Sequence, residues 1–109
     1  MTWLRRHRER LQQAIRDLHG CESQYLETVE VTETFQGKII WQGDVEVFQI
    51  RGHPKAIRSF AWSHVAGTSD QKTRYVTVLE LPPVDSPQAA VKAVIMSEIK
   101  DAREKEKRR

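Results

Sequence analysis

The hydrophobic period of this chain changes twice, and that restricts the fold more than any single motif does. Leu4, Leu11, Ile15 and Leu18 recur at helical spacing, with His7 or Arg8 filling the first gap, so the segment from Thr2 to about His19 predicts a helix with one apolar face. Gly20 follows, at the position where a left-handed conformation commonly ends a helix. Residues 23–81 then read as strands, rich in Val, Thr and Tyr and punctuated by Gly and Pro. Past Ser86-Pro87, a helix start with Ser as cap and Pro at the first helical position, Val91, Val94, Ile95, Ile99 and Ala102 return to the helical repeat.

Within the strand region, Tyr25, Val29, Val31 and Phe35 share one parity, interrupted by Glu27 and Glu33. Two reversals compete. The chain turns at Gln36-Gly37 with Gly43 as a bulge, or one long strand runs to Trp41 and turns at Gln42-Gly43; the first is slightly favoured. Gly52-His53-Pro54 breaks the next strand, because proline cannot donate to a ladder. Ala56 to Val65 and Arg74 to Leu81 predict further strands, separated by a polar loop over Ala66 to Lys72. Pro82-Pro83 closes the last one.

The expected class is α+β: a single antiparallel sheet of three to four strands, with the N-terminal and C-terminal helices packed on one face, in α-β-β-β-β-α order. The 109 residues make one domain, 1–109, whose charged C-terminal helix end is expected to fray over about 103–109. Several strands are apolar on both parities: Val45 and Val47 oppose Phe48 and Ile50, and Tyr75 and Leu79 oppose Val76 and Val78. A sheet with one wet face does not need this. Either loops and helix ends cover the surplus, or a second face meets a partner, most simply another copy of the chain; Phe48, Trp62 and Tyr75 are the candidate partner-facing residues.

Charge is distributed unevenly. Residues 1–20 hold five arginines against Glu9 and Asp17, residues 100–109 hold six basic residues against three acidic ones, and the middle is net acidic, within an overall charge of +3. Arg5, Arg6, Arg8 and Arg10 fall within one and a half turns of the first helix and are the candidate anion-binding residues. The single cysteine, Cys21, excludes an intramolecular disulfide, which suits a reducing compartment; with no signal peptide or apolar run of membrane-spanning length, a cytoplasmic location and no membrane partner are expected.

Catalytic and metal patterns are sparse. His19-x-Cys21 is half of a metal-ligand spacing without its other half, and His53 and His64 stand apart, so no metal or cofactor is expected. Glu27, Glu30 and Glu33 lie along one strand, but Glu30 faces away from the other two. There is no glycine-rich phosphate loop and no nucleophile elbow, so no enzyme activity is expected.

The order helix, strands, helix resembles the double-stranded RNA-binding domain. That likeness, at the level of fold, implies duplex contact through the first helix, a loop and the start of the second helix. Here the second helix opens Ser86-Pro87-Gln88, and Lys92 is its only basic residue before Lys100. The stretch GHPKAIRSFAWSH (52–64), followed by VLELPPVDSPQAAVKAVI (78–95), resembles a group of small uncharacterised bacterial proteins, and the likeness runs from about Phe35 onward. It implies one compact bacterial domain and brings no activity, cofactor or site residue. The expected function is a non-enzymatic interaction or regulatory module capable of forming a homodimer; the alternative is nucleic-acid binding through the basic helix, and an enzyme stands third.

Overall fold

The computed structural model describes residues 2–66 and 72–107. Helix α1 (Thr2–His19) leads into strands β1 (Glu22–Phe35), β2 (Lys38–Arg51), β3 (Arg58–Ala66) and β4 (Lys72–Leu79), and helix α2 (Pro87–Lys107) follows. The strands form one antiparallel sheet in sequence order, β1-β2-β3-β4. This is the expected α+β class and element order. Most of the polar loop expected over Ala66 to Lys72 lies outside the described residues, as do Arg108 and Arg109 at the end expected to fray.

The turns follow from their residues. β1 and β2 are joined by Gln36-Gly37, both at positive φ (52° and 77°), with Phe35 paired to Lys38. Two positive φ values in a two-residue turn match the twist of the flanking strands, so the chain reverses here and not at Gln42-Gly43. The bulge expected at Gly43 lies elsewhere: register shifts occur between Tyr25 and Glu27, and between Glu33 and Thr34 opposite Ile40. Gly20 takes φ 69° and closes α1 with its amide donating to the Arg16 carbonyl at 2.9 Å. Ser86 Oγ accepts from the Ala89 amide at 3.1 Å, the cap that the Ser-Pro pair predicts.

β3 starts two residues later than expected. His53 Nδ1 accepts from the amides of Lys55 (3.0 Å) and Ala56 (2.8 Å), holding both in the turn. β4 ends two residues earlier, because the Leu81 amide bonds back to the Leu79 carbonyl at 2.9 Å.

The two helices do not share a face, and this corrects the expected packing. Leu11 and Ile15 of α1 pack with Cys21, Phe48, Ile50, Ala56 and Ala61. Ala90 and Val91 of α2 pack with Val31, Val45, Val47, Phe60 and Trp62. Phe48 and Ile50 have the opposite parity to Val45 and Val47, so the two cores lie on opposite sides of the sheet. The apolar surplus on both strand parities is therefore met within one chain: each face has its own helix. The register shift at Leu26 helps build this arrangement. Tyr25 pairs with Phe48 on the α1 face, while Val29 pairs with Val45 on the α2 face, although Tyr25 and Val29 share a parity.

The sheet also forks. β2 pairs with β3 only over Glu46–Gln49 and Arg58–Ala61, so the outer half of the β1–β2 hairpin and the outer part of β3–β4 leave as separate ribbons. On the α2 face the indoles of Trp41 and Trp62 span the fork edge to face, centroids 6.0 Å apart.

Candidate functional site

α1 lies over β1, β3 and β4 and runs antiparallel to β1, as its cross-links show. The Arg8 guanidinium sits 3.7 Å from the centroid of the Tyr25 ring. One turn on, Gln12 Nε2 donates to the Ser23 carbonyl at 3.0 Å. One turn further, Arg16 forks onto Glu22, with Nε to Oε1 at 3.1 Å and Nη2 to Oε2 at 3.0 Å. That pairing holds the Glu22 carboxyl below, and the Arg16 guanidinium above, their ordinary values, through the hydrogen bonds first and the charge second.

The four candidate anion-binding arginines do not form one patch. At about 100° per residue, Arg8 and Arg10 are roughly 200° apart around the helix. Arg8 falls on the β1 flank. Arg10 falls on the β4 flank, where Nη1 donates to the Tyr75 hydroxyl at 3.1 Å. Arg6 is exposed and, four residues before Arg10, lies on the same side of the helix as Arg10, whereas Arg5 joins Arg8, Leu4, Glu9, Gln12 and Tyr25 in lining a cleft between α1 and β1. Of these lining residues, sequence reasoning singled out only the two arginines. Arg8 on the margin of the Leu4–Leu11–Ile15 stripe was the signal that it would meet the sheet.

Two of the three candidate partner-facing residues are interior. Phe48 is 0% exposed under α1 and Trp62 is 2% exposed under α2. That expectation is corrected, since each is covered by a helix of its own chain. Tyr75 is half-buried beside α1, with its hydroxyl held by Arg10.

The exposed apolar surface lies elsewhere. Phe35, Ile39 and Ile40 lie at the hairpin tip, Phe35 61% and Ile39 60% exposed, with Phe35 beside Lys38 on one face of the ribbon and Ile39 beside Thr34 on the other. Glu33, two residues before Phe35, anchors α2: it accepts a hydrogen bond from Gln88 Nε2, and Lys92 Nζ lies 3.8 Å from Oε1. Past this anchor Val94 and Ile95 still pack on the core, and beyond them residues 96–100 are all exposed. Met96 and Ile99 are exposed, and with Ala93, Ser97 and Lys100 they line a shallow apolar groove on the helix. Ile99 was expected to face the core; α2 has left the sheet by that turn.

The remaining candidates have structural partners. The His19 ring bonds the Thr77 hydroxyl, and Cys21, buried and free, donates its thiol to the His19 carbonyl at 3.3 Å. Burial above all, and the nearby His53 in addition, push the His19 imidazole below its ordinary value, against the bond to Thr77. Glu46 is buried and accepts from the Thr28 hydroxyl, which bonds the Tyr25 hydroxyl at 2.7 Å. Glu30 faces the opposite side from Glu27 and Glu33, paired with Asp44. Among the described residues no three His, Cys, Asp or Glu side chains gather as metal ligands, and no helix is long and apolar enough to cross a membrane.

No known protein family, curated protein or solved structure matches this chain.

Proposed function

We propose that this chain is a non-enzymatic interaction module of the cytoplasm, and that it associates with a second copy of itself through the β1–β2 hairpin tip and the overhanging part of α2. The observation that carries this reading is that Phe35, Ile39 and Ile40, large and exposed, all lie at the end of a ribbon that does not pair with β3, so that apolar surface is open on both of its faces. Isolated exposed apolar residues are ordinary; three within six positions at a projecting tip are not. Charge favours a second copy as the occupant. Residues 21–51 carry six acidic against two basic residues, whereas α1 carries five arginines against two acids. The acidic ribbon of one copy and the basic helix of another therefore attract, and a two-fold arrangement uses each pairing twice.

Nucleic-acid binding has less support. A duplex touching both α1 and the start of α2 would have to reach opposite faces of the sheet. A reducing cytoplasm suits the buried free thiol of Cys21.

Sedimentation velocity tests the reading. The wild-type chain should sediment as a dimer at micromolar concentration, and Phe35→Asp combined with Ile39→Asp should sediment as a monomer with an unchanged far-ultraviolet spectrum. A wild-type chain that stays monomeric to millimolar concentration would overturn it.

A further inference from the structure

The arginines of α1 differ in how their charge is met. Arg16 is forked onto Glu22, and Arg10 donates to Tyr75. Arg8 is half-buried against the Tyr25 ring, yet among the described residues no carboxylate lies within ion-pair distance of it. Its Nε is buried and has no hydrogen-bond partner. The second such orphaned atom among the described residues is Ser23 Oγ, on the same α1–β1 seam, next to the carbonyl that Gln12 bonds. Native proteins rarely leave such groups unmet unless water, an ion or a ligand completes them. Stacking on an aromatic ring fixes the plane of a guanidinium while leaving its edge free to donate to an oxyanion in fork geometry.

We propose that the cleft between α1 and β1 binds a small phosphate monoester, with Arg8 and Arg5 holding the phosphate. Arg5 lies three residues before Arg8 on the same flank and lines the same cleft, so two guanidinium groups meet a ligand of nearly two negative charges. Glu9 lines the cleft as well. Its carboxylate accepts hydrogen bonds, so it selects a ligand that carries hydroxyl groups besides the phosphate. Leu4 and the Tyr25 ring supply an apolar wall.

Amide chemical shifts of the full-length, isotopically labelled chain, titrated with inorganic phosphate, glycerol phosphate and acetate, provide the test. The expected result is saturable shifts at Arg5, Arg8, Gln12 and Tyr25 with both phosphates and only weak ones with acetate. Tighter binding of glycerol phosphate than of inorganic phosphate assigns the monoester. Arg8→Gln should weaken binding about tenfold or more, the loss of a charged hydrogen-bond pair, and Arg10→Gln should leave it unchanged. Should Arg8→Gln fail to fold, Arg5→Gln, at an exposed position, carries the same expectation. Absence of saturable shifts overturns the proposal. So does inorganic phosphate binding as tightly as glycerol phosphate, or equal losses from Arg8→Gln and Arg10→Gln, which would mean diffuse attraction to the helix.

Discussion

The indole of Trp41 lies back over Gly43, two residues along the same strand and on the same face, so that a methyl group added at Gly43 would meet the ring at 3.1 Å. The same indole meets that of Trp62 edge to face. The ring therefore has little room to retreat, and Gly43→Ala should destabilise the protein by about 1–2 kcal/mol through overpacking. Urea titration followed by tryptophan fluorescence checks this. A variant as stable as the wild type would mean that Trp41 swings outward at no cost.

α2 carries its stability in its first half. Ser86→Ala removes the cap and should cost about 1 kcal/mol. Val91 is 1% exposed, and Val91→Ala should cost about 2 kcal/mol by lost burial plus the cavity left behind. Ile99 is 43% exposed, and Ile99→Ala should shift stability by no more than about 0.5 kcal/mol in the monomer. The ratio of the last two effects, from chemical denaturation at low protein concentration, reports where the helix leaves the sheet. Equal losses would put Ile99 back in the core.

Two cores on opposite faces make a further prediction about additivity. Leu11 and Val91 belong to different clusters, on either side of the sheet. The double variant Leu11→Ala/Val91→Ala should lose the sum of the single losses to within about 0.5 kcal/mol. Trp41 and Trp62 touch edge to face, and their double-variant cycle should give a coupling of roughly 0.5–1.5 kcal/mol. Strong coupling between Leu11 and Val91 would mean that the sheet transmits strain from face to face.

Local features of the fold were readable in the chain: the Gln36-Gly37 turn, the Gly20 stop and the Ser86 cap each rest on a residue type with one strong conformational use. The placement of the helices was not. It depends on register, and the shift at Leu26 that sends Tyr25 to one face and Val29 to the other has no glycine or proline to mark it. The basic run at Arg5, Arg6, Arg8 and Arg10 was visible as charge. What divides it is helical geometry combined with two tyrosines 50 positions apart in the chain, Tyr25 and Tyr75, each of which claims one arginine. No spacing within the first helix could reveal those partners.

His19 should make the fold sensitive to mild acid. Its imidazole lies below its ordinary value in the folded chain, chiefly because burial disfavours the cation. The unfolded chain therefore takes up the proton first as pH falls. The contribution of neutral His19 is fully present above the unfolded value of about 6.5 and is lost as pH drops through the lower folded value. Thermal melts at pH of about 7.5 and about 5 should show a larger fall in Tm for the wild type than for His19→Gln, which keeps a hydrogen-bonding group near Thr77 but does not titrate in this range. Acid sensitivity that persists unchanged in His19→Gln would assign the effect to another group.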